Sequence, residues 1–513
     1  MSRAPRRRYA DQDSGRCASG TGGRRRDMKT IAAIEAFADR YDLAIVGAGP
    51  AGLAAASLAV AHGVDVVVLD ENASPGGQIY RAVTSTPMTR REILGEDYWR
   101  GVELVQEFSG SASSYAPSTT VWNVARGLDG HSLGHDFEIG VSLRGKARLL
   151  RAKEVILATG AQERPFPIPG WTLPGVMTAG AAQIALKSSG LVPDGHLVLA
   201  GTGPLLYLVA AQLIEAGASI RALLDTTPRA NWMSALTANP GFLASPYLAK
   251  GLALLRMVHR RLDVVGGITA LRAEGQKRLN RVAFERAGRR TELDCDLLLL
   301  HQGIVPSINL SNAIGCAHDW DNVQLAFRPQ VDAWFASTVQ GVAIAGDSAG
   351  IAGAESAAAR GRIAALGAAF RLERISAGQR DRDAAPLRAE LALLARGRRF
   401  LDVFHRPAKA FRVPSDDATL VCRCEEVFAK TIRETVVLGA CGPNQMKAFT
   451  RCGMGPCQGR LCGLTVTEMI ADARAVSPAE VGYYRLRPPV KPVTLAEIAA
   501  LPQTPDAEKA VAR

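Results

Sequence analysis

Apolar residues in this chain fall into short unbroken runs, most of them stopped by glycine. Residues 42–46 (Asp-Leu-Ala-Ile-Val) suit a central parallel strand buried on both faces. Gly47-Ala48-Gly49-Pro50-Ala51-Gly52 follows, then an Ala/Leu-rich stretch to His62 that reads as a helix. A second strand, 64–69, ends at Asp70-Glu71. The runs 155–160 and 342–347 predict two more buried strands, the latter leading through Ser348-Ala349-Gly350 into an Ala-rich helix. Between them, 197–225 repeats the opening pattern. It has a strand at 197–200, the turn Gly201-Thr202-Gly203-Pro204, a helix to Ala216, a strand at 220–224 and Asp225. The duplication predicts an α/β chain in which a second nucleotide-type unit is inserted within the first. Leu387, Leu391, Leu394 and Leu401 share one helical face and predict a packed connector helix. The stretch 485–492, rich in proline, reads as extended polyproline.

The two turns differ in chemistry. In the first, Gly47 and Gly49 let the backbone approach a pyrophosphate, and the helix N-terminus offers N–H groups and a positive dipole end. Asp70 stands where such units accept a ribose hydroxyl. The second keeps Gly201, Gly203 and Asp225 but has Leu206 at the third motif position, where a side chain crowds helix against strand. NAD(P) binding there stays open, beside a purely architectural reading.

Composition changes the picture in two places. The 513 residues are 47% hydrophobic and 21% charged, which excludes a disordered chain or a disulfide-stapled mini-protein. The formal charge of +12 is uneven, half of it lying in residues 1–29, so a folded nucleic-acid surface is not indicated. No targeting segment or apolar span is visible. The expectation is a cytoplasmic protein, touching the inner face of the cell membrane only peripherally if at all. Of the nine cysteines, Cys422, Cys424, Cys441, Cys452, Cys457 and Cys462 crowd together, which suggests a metal rather than disulfides.

Several of these segments resemble a known superfamily. Gly47–Gly52, Asp70, Gly76-Gly77-Gln78-Ile79-Tyr80-Arg81, Ala158-Thr159-Gly160 and Gly346-Asp347 resemble the two-dinucleotide-domain flavoproteins of the glutathione-reductase type. The stretch 168–176, joined to Cys-x-Cys…Gly-Met-Gly-x-Cys-Gln-Gly-Arg-x-Cys, is narrower. It resembles the α (A-type) subunits of heteromeric flavin amine dehydrogenases, a family that includes opine oxidase, D-hydroxyproline dehydrogenase, hydrogen cyanide synthase and L-proline dehydrogenase. The resemblance implies FAD, held by Gly47, Gly49, Pro50, Ala51, Gly52, Asp70, Glu71, Gly77, Gln78, Thr159, Gly160, Gly346 and Asp347. In it Gln78 lies near the isoalloxazine and Asp347 bonds the ribityl–phosphate region.

The C-terminal unit resembles bacterioferritin-associated ferredoxin, which implies a [2Fe–2S] cluster on Cys422, Cys424, Cys457 and Cys462. Cys452 departs from that pattern. Its spacing to Cys457 equals that of Cys457 to Cys462, so spacing alone leaves a shifted ligand set open, and zinc is the rival metal. By the family pattern, Cys441 and Cys452 are buried small residues or spare thiols. Ser348 sits in a G-x-S-x-G sequence, but the flavin-type reading explains the same residues without a hydrolase. His301 closes the 297–300 strand and reads equally as a satisfied strand-end residue or as one facing the second site or a partner-side cofactor.

The expected fold class is α/β, with two Rossmann-like dinucleotide-binding domains, the second inserted in the first, plus a small helical [2Fe–2S] domain. The expected division is a disordered basic tail at 1–40, an FAD-binding domain at 41–190 and 306–375, and an NAD(P)-type domain at 191–305. A helical connector at 376–417, the [2Fe–2S] domain at 418–480 and an extended tail at 481–513 follow. The resemblance implies an electron-transfer subunit that accepts electrons from a D-amino-acid-oxidase-like FAD β subunit. Both an interface FMN and a small ferredoxin-like subunit remain open. The rival is a free-standing NAD(P)H-dependent FAD/[2Fe–2S] reductase.

Overall fold

The computed structural model describes residues 27–126 and 136–502. Residues 1–26 of the basic tail and 503–513 at the C-terminus lie outside the described residues.

The first unit is an eight-stranded sheet. Lys29–Thr30, Ser114–Ala116, Val66–Leu69, Arg40–Val46 and Lys146–Leu157 lie side by side in parallel. The long strand 146–157 serves two partners on its other edge. Its first half pairs with the antiparallel strand Phe137–Leu143, and residues 155–157 pair in parallel with Val342–Ile344. The helices Pro50–Ala61 and Ala354–Arg371 cover one face, and they cross so closely that a Cβ on Gly361 would meet the carbonyl oxygen of Ala51 at 2.1 Å.

The inserted unit has a five-stranded parallel sheet in the order Val264–Gly266, Ile220–Asp225, Leu197–Thr202, Leu297–Gln302, Val176–Thr178. A three-stranded antiparallel sheet over 268–294 shares its core. The two crossings between the units, Ala161–Glu163 and Ile304–Pro306, pair with each other antiparallel. The third unit holds the short strands Leu420–Cys422 and Val427–Phe428 and the helices Ala429–Val437, Pro443–Thr450 and Gly463–Arg474.

Four sequence boundaries need correction. The tail expected to be disordered to residue 40 is structured from Lys29, because Ile31, Ile34 and Phe37 bury themselves in the core of the first unit. The inserted unit begins before 191, since 176–178 is an edge strand of its sheet and Ala179–Ser189 one of its helices. The connector is not one helix. Ala377–Leu394 ends, Gly397 turns the chain at φ +79°, and Arg398–Phe404 starts afresh. Its Phe400 stacks on Phe242 with ring centroids 3.8 Å apart, so packing on the inserted unit overrides the continuous leucine face. The C-terminal stretch is not wholly extended: Leu495–Ala499 is a helix with a Thr494/Glu497 capping box. Before that helix, the backbone N–H of Val490 donates to the Trp122 carbonyl, and its side chain enters the core of the first unit. Among the described residues, no helix is long and apolar enough to cross a membrane.

Candidate functional site

Glycine dictates the geometry of the first turn. Gly47 has φ +107°, and a Cβ there would meet the Ala158 carbonyl oxygen at 2.4 Å. A Cβ on Gly52 would meet the Gly47 carbonyl oxygen at 1.9 Å, so the helix rests directly on the strand end. Gly77, at φ +62°, brings a second turn against Gly49. The two glycine turns face each other across the N-terminus of helix 50–61, with Pro50 at its first position.

Asp70 is buried and accepts from the backbone N–H of Ala48 at 2.6 Å, and from both the N–H and the side-chain amide of Asn72 at 2.7 Å. It therefore braces the turn itself, and burial raises its pKa. Glu71 is exposed and pairs with Lys491 of the C-terminal strap at 2.6 Å. Asp347 accepts from the N–H groups of Ala352 (2.8 Å) and Gly353 (3.1 Å), which shapes the turn that leads into helix 354–371. Thr159 donates to the Ser307 carbonyl at 3.0 Å, and Gly160 has open space where a Cβ would stand. Ser348 is buried and donates to the Ala345 carbonyl at 2.8 Å, the role of a turn brace rather than a nucleophile.

The loop carrying Gln78 is pinned by a residue that sequence reading missed. Lys187, buried on helix 179–189, donates to the carbonyls of Ile79 (2.9 Å) and Gln78 (3.4 Å) and to the side chain of Gln183 (3.1 Å). Burial, with Arg81 nearby, pushes its pKa down to about 7. A folded pKa below the unfolded value near 10.4 means that the unfolded chain holds more protons between about pH 7 and 10, so stability rises with pH across that window. Lys187→Met is expected to flatten this rise, read as the thermal midpoint at pH 7 and at pH 9. A rise undiminished in the variant would assign it to another group.

Side chains from three parts of the chain pack around the second turn. A Cβ on Gly203 would meet Nε2 of His301 at 3.2 Å, and His301 Nδ1 lies 2.7 Å from Glu163. His405 from the connector sits 3.4 Å from the Thr202 hydroxyl, and burial drives its pKa down to about 4, so it is neutral. Asp225, the candidate ribose acceptor, instead accepts from the Tyr207 hydroxyl at 2.6 Å and the Thr227 N–H at 2.7 Å. Leu206 is fully buried in the core. Asn231 donates to the carbonyls of Phe404 and Arg406 at 2.9 Å each, holding the connector over the turn.

The cysteines divide into two groups. The sulfurs of Cys422, Cys452 and Cys462 are buried and lie within 4.8 Å of one another. Cys424 and Cys457, less buried, are close enough for each thiol to bear on the other's ionisation. Cys441 is exposed and apart, so it is not a buried packing residue. Hydrogen bonds from Cys452 and Cys462, then from the N–H groups of Gly453 and Glu425, hold the Cys422 thiol far below its usual range. The same crowding pushes Cys452 and Cys462 up.

Converging thiols of this kind fit a thiophilic metal centre, which takes its ligands as thiolates. The loop has no room for larger residues. A Cβ on Gly455 would strike Cys424 at 2.2 Å, and one on Gly453 would strike the Tyr484 ring at 2.5 Å. Arg460 folds back to donate to the Cys457 carbonyl at 3.1 Å, while Arg423 lies over the Trp171 ring.

The thiol centre sits on the crossings. Gln162 donates to the Arg460 carbonyl at 2.7 Å, Asn309 to the Gln458 carbonyl at 3.0 Å and the Trp171 indole to the Leu420 carbonyl at 2.7 Å. Beneath them the buried Glu468 faces Arg164 at 3.6 Å and pairs with Arg412.

Comparison with known proteins agrees with this layout. Residues 41–363 match the pyridine nucleotide-disulphide oxidoreductase family, and residues 417–501 match the sarcosine oxidase A3 domain. The chain is 49% identical over 486 residues to the A subunit of opine oxidase from Rhizobium meliloti, covering 95% of this chain and 92% of that one. It is 31% identical over 463 residues to the HcnB subunit of hydrogen cyanide synthase from Pseudomonas aeruginosa, covering 88% and 96%. The crystal structure of L-proline dehydrogenase from P. horikoshii superposes with a TM-score of 0.67 at 18% identity, over 92% of this chain and 80% of that one, and so shares the fold. The chain belongs to the pyridine nucleotide-disulphide oxidoreductase family, as an A-type member of the heteromeric flavin amine oxidoreductases that include opine oxidase.

Proposed function

We propose that this chain is the electron-transferring subunit of a heteromeric dehydrogenase for an opine, hydroxyproline or proline-like amino acid. In this reading a D-amino-acid-oxidase-like FAD subunit oxidises the C–N bond, and this chain takes the electrons onward. When bound, FAD would supply the exchange of two electrons for single ones, and a [2Fe–2S] cluster on Cys422, Cys424, Cys457 and Cys462 a one-electron relay. Gly47, Gly49, Gly52 and Gly77 would cradle the dinucleotide, Asp70 bracing their turn and Asp347 the far one. Cofactor placement and potential tuning, rather than acid–base chemistry, are the work of these residues.

The observation that carries the reading is the shared wall at 159–162 and 307–309. Thr159 and Gly160 follow the strand 146–157 of the flavin-type cradle, and Gln162 just beyond holds the thiol loop through Arg460. Against the rival nicotinamide-linked reductase stands Tyr207, whose hydroxyl bonds the Asp225 carboxylate that a ribose would need, with His301 and His405 packed beside the same turn.

An anaerobic titration of the flavin- and cluster-replete chain with NADH and NADPH tests this. The visible spectrum is expected to stay unbleached with either nucleotide, and to bleach when the amino acid is added together with the partner subunit. Rapid bleaching by NADH or NADPH alone would make the chain a nicotinamide-linked reductase.

A further inference from the structure

Five thiols converge where a [2Fe–2S] cluster needs four. The fifth, Cys452, is as buried as Cys422 and Cys462, and the three sulfurs all lie within 4.8 Å of one another. Two thiolates on one tetrahedral metal, each at about 2.3 Å, stand about 3.8 Å apart. Any two of these three sulfurs therefore suit one iron. Cys424 and Cys457, close together on the more exposed side, suit the other.

The backbone delivers Cys452 to this position. Helix 443–450 ends at Arg451 with φ +60°, and Gly453 follows at φ +86°, so the chain reverses at Cys452 itself. The Cys452 N–H donates to the Thr450 hydroxyl at 3.2 Å, and the Tyr484 side chain lies beside its sulfur. Gly453 and Gly459 both rest on the Tyr484 ring, which fixes the loop from below.

We propose that Cys452 is a reserve ligand for the inner iron: Cys422, Cys452 and Cys462 are three thiols for two coordination positions, so that Cys452 takes over when either of the others is lost. In the exchange the incoming thiol gives up its proton to solvent and its sulfur forms the iron bond vacated by the lost thiolate, with no change in oxidation state. Among the described residues the outer iron has no such substitute. The proposal rests on the cluster reading of the preceding subsection.

The test compares serine variants of the full chain by iron and acid-labile sulfide content, visible absorbance and the electron paramagnetic resonance of the dithionite-reduced protein. Cys462→Ser and Cys422→Ser are each expected to keep more than half of the wild-type iron and sulfide, with altered resonance positions. Cys424→Ser and Cys457→Ser are expected to lose at least tenfold, as are the double variants C452S/C462S and C422S/C452S. Cys452→Ser alone is expected to keep the cluster and the wild-type resonance. Flavin content reports that each variant has folded; if Cys462→Ser loses flavin as well, Cys422→Ser carries the same comparison. A folded Cys462→Ser or Cys422→Ser as empty as Cys457→Ser would overturn the proposal and leave the cluster reading intact. Loss of the cluster in Cys452→Ser alone would overturn it too, by making Cys452 an obligatory ligand. Zinc without labile sulfide in the wild type would overturn the cluster reading and the proposal together.

Discussion

Glu468→Gln is expected to cost about 3–5 kcal/mol in the attachment of the cysteine-rich unit, because it strips the charge from a buried carboxylate and leaves two buried guanidiniums without their counter-ion. Arg164 and Arg412 are both pushed down to about 10 by burial, a sign of how little water reaches them. Arg164 also donates to the carbonyls of Gln324 (2.6 Å) and Leu325 (2.9 Å), so it cannot swing out to solvent without breaking the first unit. The large cost belongs to breaking the set; a buried ion pair is not by itself a net source of stability against apolar residues of the same shape. The measurement is a thermal scan that follows thiol-centre absorbance and flavin fluorescence separately. The thiol-centre transition should move to a lower temperature and part from the flavin transition. If both stay where they are in the wild type, Glu468 does not hold the units together.

Gly52→Val is expected to reduce bound flavin to below roughly a tenth of the wild-type ratio. Over-packing in a core typically costs about 1–3 kcal/mol when neighbours can shift. Here the first added atom already lies 1.9 Å from a backbone oxygen, that of Gly47, and Gly47 is itself held against Ala158. Helix 50–61 has to lift away, taking its N–H groups from the place where a pyrophosphate would sit. Gly251→Ala is the control: a Cβ there meets nothing within 4 Å, and the half-buried helix position gains a better helix former. The flavin-to-protein ratio after denaturation reads both. A Gly52→Val protein with full flavin would mean that the dinucleotide does not use this turn.

The interior of the fold was legible because its signals are local. The glycine turns at 47–52 and 201–203 sit between apolar runs, and those runs became the central strands. Edge pieces were not. Lys29–Thr30 and Val176–Thr178 are too short to show a period, and each is fixed by the strand it joins rather than by its own residues. The packing around the second turn was only half visible. Leu206 hinted at it, but His405 lies some 200 residues further along the chain, and its approach to Thr202 depends on how the connector breaks at Gly397. Lys187 was silent for the same reason, since a lysine on an Ala-rich helix reads as solvated until Tyr98 and the Gln78 loop close over it. Among the cysteines the family pattern picks out four, yet the proximity of Cys452 follows from the reversal at Arg451–Gly453, which spacing does not encode.

The paired crossings at 161–163 and 304–306 bear on how the chain is made. A ribosome delivers the strand 146–157 well before its partner 342–344, and Val490 later still, by on the order of ten seconds at ordinary synthesis rates. Everything needed for the inserted sheet, 176–302, emerges in that interval. Once folded, that unit returns its two ends as hydrogen-bonded neighbours. Residues 157 and 342 are then brought together by a short closure rather than a long one, which lowers the entropy opposing the non-local pairing. The nested unit thus becomes a scaffold for assembling its host, a use that persists whether or not a nucleotide ever enters it.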